Sequence, residues 1–153
     1  MSQLLTTLMR NTLKTLVESN GFDRVLQQVN ITSASKGRIS AEMVVTEGST
    51  NFSGRLHGGM TATIVDQLSS LALTAALVTD SEQREQHFAK VNSVSLDLSV
   101  QFLSGVQLGD TLLIEANALK CGKNIAFLSV DIYNKKSNQL VANGKHTKYL
   151  LNK

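Results

Sequence analysis

The stretch that decides the fold reads Asn51-Phe-Ser-Gly-Arg-Leu-His57-Gly58-Gly59-Met-Thr-Ala-Thr-Ile-Val-Asp66, and the apolar run that it opens continues to Val78. Apolar residues cover most of the circumference of a helix drawn from Gly58 to about Val78, which predicts a central helix buried on several sides. The first amides of such a helix have no partner within it and can bind a developing negative charge. One carboxylate, Asp66, interrupts the apolar run.

The spacing between the helix start and this carboxylate makes a prediction about assembly. At the rise of an α-helix, Asp66 lies about 12 Å from Gly58 along the axis, so one small reacting group cannot touch both. Either the two features are unrelated, or a second copy of the chain brings its Asp66 to the Gly58 of the first. Two such helices packed antiparallel would do this twice per dimer.

Composition narrows the class of protein. A chain of 153 residues with 42% hydrophobic residues favours one globular domain over residues 1–153 and argues against disorder. A net charge of +3, few aromatic residues and no tryptophan do not favour a nucleic-acid partner, whereas a phosphate-bearing small molecule fits. The single cysteine, Cys121, excludes an intrachain disulfide and favours a reducing compartment. No membrane span is expected, because the longest apolar run contains Asp66, Gln67 and two serines.

The segments around the central helix predict an α+β plan. Residues 3–19 predict an amphipathic helix, and the ordinary helix end at residues 18–21 argues against a mitochondrial presequence. Residues 25–31 and 38–46 predict a hairpin that turns over residues 33–37, and residues 79–90 predict an exposed connector. Four more strands are predicted, the last three as an antiparallel meander, at residues 91–103, 111–119, 124–133 and 139–150. One sheet of five or six strands would then wrap around the central helix.

Several of these segments together resemble a known family. Asn51, the run Leu56-His57-Gly58-Gly59 and Asp66 are similar to the hotdog-fold acyl-CoA thioesterases of the phenylacetate-degradation type. Residues 22–26, 119–131 and 143–148 match as well, so the resemblance covers nearly the whole chain. It implies the hotdog fold, an antiparallel sheet around one long helix. It also implies a homodimer whose sheets join edge to edge, usually doubled into a dimer of dimers, with active sites at the dimer interface.

The resemblance implies roles for five residues in catalysis. Gly58 and Asn51 would polarise the thioester carbonyl, and Asp66 of the neighbouring subunit would activate water that Ser95 helps to position. Asp66, buried in an apolar helix, is expected to be a better base near neutral pH. His57 would either bind near the leaving thiol or only support the helix start.

Each of these residues has a plain structural alternative. Gly58 could serve tight packing at a helix entrance, and Asn51 could be an ordinary turn residue. Ser95 could be a solvent-facing strand serine, and alternation predicts that Ser93 and Ser99 share its face. Asp66 could be a polar contact across the dimer seam.

The resemblance also implies a binding surface for coenzyme A, which is part of the substrate, so no separate cofactor and no metal is expected. Lysines in turns also serve solubility, so their charge alone does not identify a site. The implied substrate-binding residues are Phe102, Leu103, Ser104, Gly105, Val106, Gln107, Lys120, Cys121, Gly122, Lys123, Asn124, Ile125 and His146.

The predicted function is hydrolysis of medium- or long-chain acyl-CoA to a fatty acid and coenzyme A. Two alternatives stay open: an acyl-thioester dehydratase on the same fold, using His57 and Asp66, and a non-catalytic acyl-CoA sensor. Both the cytoplasm and the mitochondrion are open as compartments.

Overall fold

The computed structural model describes residues 2–151 and confirms the α+β plan. Within these residues, six antiparallel strands form one sheet in the order β1-β2-β4-β5-β6-β3, so the predicted meander is the run β4-β5-β6. The helices are α1 (Ser2–Glu18), α2 (Gly58–Leu77) and α3 (Asp80–Glu85), and the strands are β1 (Val29–Ser35), β2 (Arg38–Val44), β3 (Ser93–Phe102), β4 (Thr111–Cys121), β5 (Ile125–Asn134) and β6 (Leu140–Leu150). Short 3₁₀ turns cover Phe22–Leu26 and Glu47–Ser49.

The central helix α2 ends one residue short of the predicted Val78 and packs mainly on β4 and β5. Ile64, Val65 and Leu68 are fully buried and face the apolar inner side of the sheet. By length and hydropathy α2 could span a membrane, but 61% of its apolar window is buried inside the protein. This burial agrees with its prediction as a core helix.

Two predicted segments differ from the structure. Strand β1 continues to Ser35, so the hairpin turns over Lys36 and Gly37 rather than over residues 33–37. Residues 25 and 26 belong to a 3₁₀ turn, not to the strand. The exposed connector contains the short helix α3. It is hydrogen-bonded to α1: Asn11 donates to the Gln86 carbonyl at 2.6 Å, and Thr12 accepts from the Ala89 N–H at 3.1 Å.

One edge of the sheet is covered. The outer side of β1, which we call the covered edge, hydrogen-bonds to side chains of α1. Thr6 Oγ1 accepts from the Ala34 N–H at 2.9 Å and donates to the Ala34 carbonyl at 3.4 Å. Arg10 donates to the Ile31 carbonyl at 2.7 Å and to the Thr32 carbonyl at 3.2 Å. Helix α1 therefore ends the sheet by occupying the backbone groups that a further strand would use.

The opposite edge is bare. We call the free side of β3 the open edge, and within residues 2–151 no element pairs with it. Four large apolar side chains of this strand are exposed: Val94, Leu96, Leu98 and Phe102, the last to 61%. A long apolar strand with unpaired backbone groups is a template for pairing with another chain.

A β-bulge divides β3 into two parts. Leu96 has no partner on β6, so the register between the two strands shifts there. As a result Ser93 and Ser95 lie on the face toward α2, whereas Ser99 pairs with the exposed Lys145 on the outer face. The prediction that Ser99 shares a face with Ser95 is wrong, because the extra residue changes the alternation.

Candidate active site

The start of α2 is built around His57. Its Nδ1 accepts a hydrogen bond from the Gly59 N–H at 2.8 Å, which makes His57 the N-cap residue. A Cβ atom at position 59 would lie 2.9 Å from this nitrogen, so a larger residue there would force the His57 ring to shift. The structure thus gives His57 a supporting role at the helix start, one of its two predicted roles.

Gly58 differs from its neighbour. A Cβ atom at position 58 would meet only the Phe102 ring, at 3.5 Å, which is ordinary van der Waals contact. Packing within the chain therefore does not require glycine at this position, contrary to the tight-packing alternative. Among the described residues its N–H has no hydrogen-bond acceptor, as expected for the first residue of a helix.

Asn51 holds the loop before the helix. Its Oδ1 accepts from the Ser53 N–H at 3.0 Å and from the Arg55 N–H at 3.2 Å, which is an Asx turn. With the oxygen occupied in this way, the side-chain Nδ2 is left as a donor. Asn51 is thus a turn residue, and the same turn orients an amide group that can donate to a ligand.

Asn51 and Gly58 border an open cleft of about 370 Å³, which we call the start cleft. It brings the helix start together with much of one predicted coenzyme A segment. Its lining is Asn51, Arg55, Leu56, Gly58, Thr61, Phe102, Leu103, Ser104, Gly105, Val106 and Val141. Arg55 is not among the residues predicted from the sequence; it is exposed, and its side-chain stem lies over Gly105.

A second group of polar side chains lies beside α2, further from its start, and we call it the carboxylate cluster. It consists of Asp66, Ser69, Ser95 and His146. His146 is fully buried, with Nδ1 2.7 Å from Ser69 Oγ and Nε2 2.8 Å from Ser95 Oγ. Asp66 Oδ1 lies 3.7 Å from the same Nε2. The Asp66 side chain is 36% exposed, more than its place in an apolar helix predicted.

Two basic groups in this region have shifted pKa values. Burial lowers the pKa of His146, the positive charge of Lys148 lowers it further, and Asp66 and Asp97 oppose the shift. Burial also lowers the pKa of Lys148, whose ammonium donates to Ser70 Oγ at 2.9 Å. His146 is therefore neutral near pH 7.

Next to the cluster is a smaller cavity of about 180 Å³, which we call the inner cavity. It runs between α1, α2 and the connector. Its lining is Thr12, Leu16, Asp23, Gln67, Ser70, Leu71, Thr74, Phe88, Ala89, Lys90, Val91, Ser93 and Lys148.

One chain does not bring all the predicted site residues together. The start cleft lies at the end of β3, beside Phe102, whereas the carboxylate cluster lies near its beginning, at Ser95. The predicted segment of residues 120–125 is at the beginning of β3 too, because Ile125 and Val94 both pair with Tyr149. His146, predicted to contact coenzyme A, belongs to the interior of the cluster instead.

Sequence alternation could have placed His146, since residues 142, 144, 146 and 148 of β6 share the inward face. Among residues 2–151, no group of three or more His, Cys, Asp or Glu side chains is placed to hold a metal ion.

Comparison with known proteins agrees with this geometry. The sequence model of the family described as "Thioesterase superfamily" matches residues 53–141. Acyl-coenzyme A thioesterase 13 from Homo sapiens is 40% identical over 144 residues, which are 94% of this chain and 95% of that protein. The crystal structure of thioesterase superfamily member 2 from Mus musculus has a TM-score of 0.83 at 38% identity, covering 96% of this chain and 98% of its own. The zebrafish protein of the same name gives 0.82 at 37%, covering 93% and 95%. The family resemblance is confirmed: this chain belongs to the thioesterase superfamily and has the hotdog fold.

Proposed function

We propose that this protein hydrolyses acyl-CoA thioesters to a free acid and coenzyme A. The observation that carries the proposal is the pairing, on one helix, of an unoccupied amide at Gly58 with a carboxylate cluster about 12 Å further on. The relatives that share 40% of the sequence are named acyl-coenzyme A thioesterases, which supports the same substrate class.

We infer that two chains pair along their open edges. A two-fold axis that pairs two β3 strands antiparallel sets the beginning of one beside the end of the other. The carboxylate cluster of one copy then meets the start cleft of the second. The same operation sets residues 120–125 of one copy and residues 102–107 of the other at the same end of the joined sheet. One symmetry operation thus joins the carboxylate cluster to the start cleft and places both predicted coenzyme A segments at one end, and a dimer of dimers, as in the family, extends the proposal.

The start cleft of one copy and the carboxylate cluster of the other have different roles in the reaction. The Gly58 N–H and the Asn51 amide hold the thioester oxygen and stabilise the negative charge that develops there. Water held by Asp66 of the second copy attacks the carbonyl carbon and gives its proton to the carboxylate. The new C–O bond forms, the C–S bond breaks, and the proton passes to the departing sulfur. Because a thioester is already reactive, neither Cys121 nor a serine has to form a covalent intermediate.

The two cavities suggest where the substrate lies. The inner cavity opens beside the carboxylate cluster, and its apolar residues Leu16, Leu71, Phe88 and Val91 suit the acyl chain. We propose medium- or long-chain acyl groups on this basis. The start cleft suits the pantetheine, with Arg55 at its border as a phosphate contact and the predicted Lys120 and Lys123 supplied by the second copy. Arg55→Gln should raise KM for acyl-CoA but not for the matching acyl-pantetheine, which lacks the nucleotide phosphates.

The test of the proposed function is a thiol-release assay across a series of acyl-CoA chain lengths. Turnover with a kcat/KM that rises from acetyl to medium and long chains is expected. Asp66→Asn, checked for folding and assembly, should lower kcat by about 10²–10⁴-fold. A folded and assembled Asp66→Asn protein that keeps full hydrolysis contradicts the assignment.

The dehydratase and sensor alternatives receive no support from the geometry. In the dehydratase, His57 and Asp66 would act on one substrate, but His57 Nδ1 is already engaged as the helix cap, where it accepts from the Gly59 N–H at 2.8 Å. Incubation with a 3-hydroxyacyl-CoA and an enoyl-CoA separates dehydration from hydrolysis, and ligand binding without thiol release identifies a sensor. Cytoplasm or mitochondrion remains the predicted compartment.

A further inference from the structure

His146 links the helix to the open edge of the sheet. Its buried ring lies between Ser69 of α2 and Ser95 of β3, and both ring nitrogens are at hydrogen-bond distance from a hydroxyl oxygen. The proposed roles in polarising the carbonyl, activating water and binding coenzyme A do not explain why a histidine is buried in this bridge.

The neighbouring hydrogen bonds favour one direction for the bridge. Ser69 Oγ lies 3.0 Å from the Asp66 backbone carbonyl, which can only accept; with its proton donated there, Ser69 accepts from His146 Nδ1 at 2.7 Å. A neutral imidazole with its proton on Nδ1 has a bare Nε2, which accepts from the Ser95 hydroxyl. The proton of Ser95 therefore points into the protein, and the oxygen lone pairs of Ser95 face outward.

We infer that His146 is a positioning residue: it turns the Ser95 hydroxyl so that its oxygen accepts a hydrogen bond from the reaction water. This inference rests on the proposed hydrolysis. Ser95 Oγ and Asp66 Oδ1 both lie within 3.7 Å of His146 Nε2, so one water can lie between them. A water that donates one hydrogen to Asp66 and the other to Ser95 has its lone pair directed at the carbonyl carbon.

Protonation of His146 reverses this arrangement. Nε2 then becomes a donor, which competes for Asp66 and leaves the Ser95 proton free to point outward. The charged groups that act on the ring are Asp66 from α2, Asp97 from β3 and Lys148 from β6. Burial and Lys148 lower the pKa of His146 below 6.5, which keeps the ring neutral at physiological pH.

The first test is spectroscopic and does not depend on the reaction. The ¹⁵N and ¹³Cδ2 chemical shifts of His146 in the assembled wild-type protein near neutral pH should show the Nδ1–H tautomer. Finding the Nε2–H tautomer or a protonated ring overturns the inference, whatever the enzyme hydrolyses.

The second test uses kinetics. His146→Leu should lower kcat by roughly ten- to a hundredfold, with KM changed less than about threefold. Adding Ser95→Ala to it should cause no further loss, because both changes remove the same orientation of water. His146→Gln, whose amide also offers one donor and one acceptor on a single carbon, should recover much of kcat. The exposed His87→Gln is the matched control and should behave as wild type.

These outcomes separate the two proposals. If the wild-type protein releases no thiol, the proposed function fails. If the wild type is active but His146→Leu keeps its kcat, or the His146→Leu and Ser95→Ala effects multiply, the inference about His146 fails while the proposed function stands.

Discussion

The two edges of the sheet are treated in opposite ways. At the covered edge, Thr6 and Arg10 of α1 occupy backbone groups of β1, and the strand can accept no further partner. At the open edge, β3 has free backbone groups and exposed side chains such as Leu96 and Phe102. Both strands belong to the same sheet, so the difference lies in what the chain places beside them.

This difference indicates what the open edge is for. Natural sheets usually protect exposed edges with helices, charges or short strands, and this chain does so on one side only. The side left bare is also the side along which the start cleft and the carboxylate cluster lie. A bare edge with half a site at each end is what a dimer with shared active sites requires.

A charged side chain on the open edge should have the largest effect on assembly and hydrolysis. Leu96→Lys should prevent pairing of two β3 strands and leave a folded monomer. Hydrolysis should fall by about 100-fold or more, since each start cleft loses the Asp66 that acts as its base. Light scattering and thiol release at one protein concentration measure both effects. The control is Ser33→Lys at an exposed position of β1, where assembly and turnover should persist. A monomeric Leu96→Lys protein with wild-type turnover contradicts the shared site.

A change at the covered edge should have a smaller effect of another kind. Thr6→Val removes both hydrogen bonds to Ala34 and leaves buried backbone groups unpaired. The free energy of unfolding should fall by about 1–3 kcal/mol, while the oligomeric state stays the same. Denaturant unfolding gives this value. Thr7→Val, one residue along on the exposed side of α1, should stay within about 0.5 kcal/mol of wild type. Loss of assembly in Thr6→Val would contradict the separation of roles between the edges.

The smallest expected effect is on the pH dependence of folding stability, through the buried His146 next to the open edge. The pKa of His146 is lower in the folded protein than its ordinary value of 6.5, so the unfolded chain binds more protons in this range. Stability is therefore fully present above pH 6.5 and declines as the pH falls toward the folded-state pKa. His146→Gln should have a shallower decline over that window, whereas His87→Gln should keep the wild-type slope. Equal slopes in all three proteins would show that the pKa of His146 is the same in the folded and the unfolded protein, which contradicts the prediction.

Much of the fold could be predicted from local pattern. The apolar run after Gly58 predicted the central helix almost to its ends, and strand alternation predicted the meander. The separation of Gly58 and Asp66 follows from helix geometry, so it too was available from the sequence.

Other features depend on contacts between distant residues. The bulge at Leu96 interrupts an alternation that reads as regular, and it decides that Ser95 and not Ser99 faces the helix. The pairing of Thr6 with β1 and of His146 with Ser69 joins residues far apart in the chain. Such contacts leave no periodic signal, because they are set by how the elements pack.

The most direct test of the shared site is complementation between two inactive variants. Asn51→Asp keeps the turn-forming oxygen but loses the amide donor, and Asp66→Asn loses the base. In a mixed dimer one site has both defects and the other has none. Equal mixing with subunit exchange should therefore recover about a quarter of the wild-type activity. If exchange is verified and the mixture stays as inactive as its two components, each site is contained within one chain and is not shared between subunits.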